Sequence, residues 1–229
     1  MNFFRFSSLN FLLLIFFVSL LVRFAYFSIP RTYPFEPKSN ILLYDAADYD
    51  EAAINILSGV GYKFGGWQAQ KPPLYSLFLA AHYRLFGHNL ILVKITQALL
   101  ASVTSVFVFL IARSLFDNRI GVLAAGFHII YKPYLEYSFV IMAETLLFFL
   151  TTATIYFFIE GSNSKKLVYF AAAGIALGLA ILTKSSVIVL VGILAIWLIM
   201  RFFFEKIYSR RFLFLSLIIF LLSTFLNKK

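Results

Sequence analysis

The sequence predicts an all-α fold: a polytopic membrane helix bundle of about seven spans, with a long first external loop carrying interfacial helices. Three observations predict it. Of 229 residues, 62% are hydrophobic and only 13% charged. A soluble domain of that size has no way to bury so much apolar surface, so the solvent is a bilayer. The apolar runs are continuous and of roughly 20 residues, the length a membrane helix needs, rather than alternating with the period of two that marks a barrel strand. The net charge of +10 gathers at the ends of these runs, which fits membrane topology rather than nucleic-acid binding. With no cysteine, disulfides and thiolate metal sites are excluded.

In chain order, Arg5 precedes an apolar run from Leu9 to Ile29, broken once by Arg23. It is long for a signal peptide and lacks a small-x-small site before Pro30, so it reads as an uncleaved first span. Further spans are expected at Leu90–Phe116, Ile120–Tyr131, Tyr137–Ile159, Leu167–Leu182, Val187–Phe204 and Phe212–Leu226. The punctuation is Asp117-Asn118-Arg119, Lys132-Pro133, the loop GSNSKK, and the cluster Glu205, Lys206, Arg210 and Arg211. With the N-terminus inside, the inner loops take Arg5, Arg113, Arg119, Lys165, Lys166, Arg201, Lys206, Arg210 and Arg211, and the outer short loops only Lys132 and Lys184. The asymmetry orients the chain N-in, although a seventh span would leave Lys228 and Lys229 outside.

The external loop, residues 30–88, holds four of the ten acidic residues within seven positions: Asp45, Asp48, Asp50 and Glu51. From Tyr44 to Leu57 the pattern is helical, with Asp45, Tyr49 and Ala53 on one face and both early aspartates near the positive helix N-terminus. Gly59-Val60-Gly61 stops it, and Gly65-Gly66-Trp67 forms a flexible aromatic connector. Lys71-Pro72-Pro73 is extended, and Pro73 opens a second helix of about 13 residues. Its apolar face is Leu74, Leu77, Phe78, Ala81 and Leu85, ended by Gly87. Too short to span, it is expected to lie along the interface or to re-enter.

The pattern D-x3-Y-x3-A, then Asn55-Ile56-Leu57-x-Gly59-x-Gly61-Tyr62, then K-P-P-L-Y and L-F-G, resembles the first external loop of the GT-C integral-membrane glycosyltransferases. The similarity is to the group related to dolichyl-phosphate-mannose–protein mannosyltransferases and bacterial lipid A aminoarabinose transferases. Pro133, Glu144 and the Leu182-Thr183-Lys184 turn agree with it. The resemblance implies one GT-C-like transmembrane domain over residues 1–229. Members carry more helices, often with a soluble C-terminal domain, so the chain is expected to be truncated at its C-terminus.

It further implies an inverting transferase that takes a sugar from a polyprenyl-phosphate donor, with the loop aspartate, here Asp45, as catalytic base. The acceptor is a lipid, glycan or protein. Two positions depart from the family: Ala46 stands where a second acid is common, and Lys71 replaces an arginine, keeping the charge but losing bidentate phosphate geometry. Glycosyl transfer needs a base for the acceptor proton and cations for the departing phosphate. Lys71, Lys132 and Lys184 are the external cations, with Arg23 near that side of the first span. The candidate substrate-binding residues are Asp48, Tyr49, Lys71, Glu144 and Lys184.

Plainer roles stand beside these. Asp48, Asp50 and Glu51 also read as a solvated helix face, Glu144 as an acid paired with Lys132, and Lys184 as a snorkelling helix-end residue. Trp67 and the tyrosines read as interfacial anchors. His82, His88 and His128 lack a second ligand at metal spacing, so no metal site is assigned; as a cofactor, a divalent metal is left open. The run Ala171-Ala172-Ala173-Gly174, with Gly178 four residues on, predicts close helix packing. The expected setting is a bacterial inner membrane, N-terminus cytoplasmic and catalytic loop external. The alternative is an inactive truncated remnant or a non-enzymatic polytopic protein such as a transporter or flippase.

Overall fold

The computed structural model describes residues 9–29, 42, 44–65, 67–68, 71–205 and 209–225. Expectations for Arg5, Pro30, Gly66, Lys206, Lys228 and Lys229, and for the Trp67 side chain, fall outside what is described. Among the described residues ten α-helices form: α1 Leu9–Phe27, α2 Asp45–Leu57, α3 Leu74–Phe86, α4 Leu90–Leu115, α5 Asn118–Ile130, α6 Lys132–Tyr137, α7 Glu144–Ser164, α8 Leu167–Thr183, α9 Val189–Glu205 and α10 Arg210–Phe225. A two-stranded antiparallel hairpin joins α2 to α3 by pairing Lys63 with Gln68 and Phe64 with Trp67.

This is an all-α membrane helix bundle. Among the described residues four helices are each long and apolar enough to cross a bilayer: α1, α4, α7, and α9 with the 3₁₀ turn before it, Ser185–Phe204. The apolar helices α5 and α8 are shorter, at 13 and 17 residues. The expected span from Tyr137 divides instead. Pro133 lies in the first turn of the short α6, residues 138–143 turn, and α7 starts afresh at Glu144. At its other end α7 runs through the GSNS stretch expected as loop, and at Gly161 the Phe170 ring comes so close that a methyl would meet it at 3.0 Å.

The chain divides into two compact units at Phe149/Leu150. In the first, α1 packs on α4 and α5 around Ile15, Phe109, Ala125 and Ile129. The outer face of α1, with Leu13, Leu14, Phe17 and Leu21, is exposed. For a membrane helix this is the lipid-facing side, not a defect of packing. In the second unit α8 packs on α10 at Gly174, where a methyl would lie 2.5 Å from the Phe220 carbonyl oxygen and 2.6 Å from Ser223 Cβ. Lipid tails are as apolar as leucine, so such close backbone approach, rather than hydrophobic burial, drives the pairing.

The α2–α3 pair positions the acidic cluster. Helix α2 ends at Ser58, after which Gly59 and Gly61 take φ of 77° and 92°, the left-handed region that suits glycine. Helix α3 starts after Pro73, as expected, but its buried face is not the apolar one. Tyr75, Ser76, Leu79, Ala80 and Tyr83 face the protein, leaving Leu77 46% and Leu85 73% exposed. An interfacial helix gives its leucines to lipid and keeps for the protein those side chains that can hydrogen-bond. Thus Tyr75 donates to Gln97 Oε1 at 2.6 Å, and the fully buried Gln97 amide donates to the Val140 carbonyl at 2.9 Å.

Candidate functional site

The first turn of α2 presents Asp45 and Asp48 one turn apart, and the chain returns across the hairpin to bring Lys71 between them. The Lys71 ammonium donates to Asp45 Oδ1 at 2.7 Å and to Asp48 Oδ2 at 2.6 Å. It also lies 5.0 Å from the centre of the Tyr49 ring and 5.6 Å from that of Phe64, so its charge is met by carboxylates and by aromatic faces. Burial works to lower the Lys71 pKa, but the hydrogen bonds it donates to Asp45 and Asp48 outweigh that and hold the ammonium above its ordinary value. Asp45 is half-exposed, its side chain 52% accessible, so the carboxylate is reachable from outside the protein.

Backbone holds the lysine in place. The Tyr62 hydroxyl is shared between the Lys71 carbonyl at 2.8 Å and the Pro72 carbonyl at 3.2 Å. The hairpin that carries Tyr62 is itself fastened to α2. Asn55 Nδ2 donates to the Lys63 carbonyl at 2.9 Å, and the Gly65 amide donates to Glu51 Oε1 at 3.0 Å. Tyr49 is buried under this corner, its ring edge-on to Tyr75 at 4.9 Å. Burial raises the Tyr49 pKa, and the charges of Glu144, Asp45 and Asp48 add to it. Burial also raises that of Tyr62, against the opposing pull of Ser76 and Lys71. Tyr44, immediately before Asp45, has φ 53°, a backbone conformation rare for a non-glycine residue and of the kind that collects at functional sites.

Of the expected site residues, Asp45, Asp48, Tyr49 and Lys71 converge here. Glu144 opens α7 in its first turn, half-buried, with its charge felt at Tyr49. It is not the partner of Lys132, which pairs with Glu136 on its own short helix at 3.5 Å. The i,i+4 spacing makes that local pair the easier one to form. Lys184 belongs to the second unit, exposed at the C-terminal cap of α8. Arg23 is fully buried in α1, bound to the Ser19 carbonyl and hydroxyl and to Ser138 Oγ.

All three acids expected on a solvated face are engaged, Asp48 by Lys71. Besides Glu51, Asp50 accepts from the Tyr83 hydroxyl at 2.5 Å and faces His88 Nε2 at 2.8 Å, with its side chain only 17% exposed. These partners lie 33 and 38 residues away, beyond the reach of helical periodicity. Tyr62 has a signal within the sequence motif, since it follows the Gly61 that turns the chain back. Among the described residues, no three His, Asp or Glu side chains gather as a metal-binding group.

A helical membrane bundle that sets a carboxylate pair and a lysine together in the loop between its first two long helices defines a polytopic membrane protein with a polar site outside its spans. Residues 70–227 match the dolichyl-phosphate-mannose–protein mannosyltransferase family, and the chain belongs to that family of membrane glycosyltransferases. The match takes in Lys71, Glu144 and Lys184 and begins after Asp45 and Asp48. No curated protein matches the chain.

Proposed function

We propose that the protein transfers a sugar from a polyprenyl-phosphate donor to an acceptor hydroxyl at the external membrane face, with inversion, and that Asp45 is the base. The observation that carries this reading is the Lys71 ammonium bridging Asp45 and Asp48 at an accessible helix end. An ammonium so placed occupies an oxygen of each carboxylate. An arriving phosphate competes for it, which seats the leaving group and releases Asp45 in one exchange. Asp45 then takes the acceptor O–H proton as the acceptor oxygen attacks the anomeric carbon. The anomeric C–O bond breaks, and the electron pair leaves on the phosphate, beside Lys71. Asp48 keeps Lys71 at the site throughout, and Glu144 is the further candidate for donor contact. The polyprenyl tail lies in apolar grooves among the helices.

The test incubates membranes carrying the full chain with labelled polyprenyl-phosphate sugars, as the intact protein and as Asp45→Asn. Transfer by the parent and none by a variant of equal abundance and unfolding temperature supports the reading. Undiminished turnover by Asp45→Asn ends it. The same Lys71–Asp45 bridge supports a second reading, a purely structural clamp in a non-enzymatic membrane protein, for which no labelled sugar is transferred by either protein.

A further inference from the structure

Arg23 is the one charged side chain of α1, and it is wholly buried within a membrane-spanning helix. Its Nε donates to Ser138 Oγ at 3.3 Å, and its Nη1 to the Ser19 carbonyl at 3.1 Å and to the Ser19 hydroxyl. All of these acceptors are neutral. The third nitrogen, Nη2, has no protein partner among the described residues. A cavity adjoins the guanidinium, walled by Ala101, Thr104, His128, Tyr134, Thr145 and Phe148. It offers about 10 Å³ to a water-sized occupant, about the least that admits one such particle.

We infer that this cavity binds one small monovalent anion, of the size and charge of chloride, as the counter-ion of Arg23. Three observations lead there. The first is charge: a guanidinium in the bilayer interior is stable only when paired, and none of the described carboxylates hydrogen-bonds to it. The second is the supply of donors. Thr104 Oγ1 and Thr145 Oγ1 have spent their protons on the carbonyls of Leu100 and Tyr137. Arg23 Nη2 is left as a donor for an occupant, with the Tyr134 hydroxyl on a residue that lines the cavity as the second, and Ala101 and Phe148 add apolar wall. The third is room. A space that admits about one water-sized particle favours a single-atom halide over the bulkier phosphate, sulfate or carboxylate. A water molecule would satisfy Nη2 but leave the charge unanswered.

The site lies between α1 and the α4–α7 segment, so its occupant would tie these helices together. The Ser19–Ser105–His128 chain of hydrogen bonds, 2.8 and 2.9 Å long, braces the same face. The experiment uses the full chain in lipid nanodiscs and follows its thermal unfolding as sodium chloride replaces sodium gluconate at constant ionic strength. A saturable rise in unfolding temperature is expected with chloride, reproduced by bromide and absent with sulfate. Bromide-grown crystals should show an anomalous peak beside Arg23 Nη2. Arg23→Gln should abolish the chloride response. Tyr134→Phe, which keeps the charge and removes one donor, should weaken half-saturation by about tenfold. An unfolding temperature indifferent to chloride would assign the cavity to water and overturn the proposal. So would an equal rise with sulfate, or a full chloride response from Arg23→Gln.

Discussion

The Lys71 ammonium stands 2.7 Å from Asp45 Oδ1 across 26 residues of chain, and that contact joins the start of α2 to the Lys71-Pro72-Pro73 turn. Both sides are held independently: Asp45 by the helix it opens, and Lys71 by the Tyr62 hydroxyl on its own carbonyl. Substitutions here should therefore change chemistry before they change the fold.

The two aspartates should separate by kinetics. Asp45→Asn is expected to remove transfer. Asp48→Asn, which loses only the second contact of Lys71, should lower kcat/KM by about tenfold to a hundredfold, the effect of one charge-assisted hydrogen bond. Lys71→Arg should retain transfer, and Lys71→Met should not. Rates on labelled donor, normalised to folded protein, decide each case; equal losses from both asparagine variants would refute the division of roles.

Alkaline stability follows from Lys71 and Tyr49, both of whose pKa values lie above their ordinary ones in the folded protein. A raised folded-state pKa means that the stabilisation is complete below the unfolded values, 10.5 for lysine and 10.0 for tyrosine. It is lost as pH climbs from there through the folded values. Hydrogen exchange of α2 amides, extrapolated over rising pH, should show α2 loosening from about pH 10 upward. Lys71→Met combined with Tyr49→Phe should flatten that dependence.

Asp50 acts as a structural acceptor for two partners. Asp50→Asn should destabilise the α2–α3 pair by about 1–2 kcal/mol, since the Tyr83 hydroxyl exchanges an ionised acceptor for a neutral one. Thermal unfolding reads the loss. Transfer rates at low temperature should be unchanged, because Asp50 faces Tyr83 and His88 and not Lys71.

Gly174→Ala should cost about 1–3 kcal/mol by forcing α8 away from the Phe220 carbonyl. Gly192→Ala, where a methyl meets nothing within 4 Å, is the control and should be neutral or slightly stabilising. Unfolding of the two variants in the same lipid distinguishes them.

The sequence by itself determined what depends on local composition and spacing. Long apolar runs must be membrane helices because lipid offers backbone groups no hydrogen-bond partner. The glycines at 59 and 61 end α2, and Pro73 precedes α3, because those residues restrict backbone angles wherever they stand. The grouping of Asp45, Asp48, Tyr49 and Lys71 was legible too, since a helix start and a proline turn lie close together along the chain. Tertiary structure alone decided which face of α3 meets protein. In a bilayer the leucine face and a protein core are equally apolar, so periodicity detects an amphipathic helix without saying which side is outside. It also decided that Asp50 is spoken for, that Lys132 pairs with Glu136 and not with Glu144, and that Arg23 is buried. Each depends on a partner brought from another helix or on competition among several candidates, and neither distance nor competition is written in local spacing.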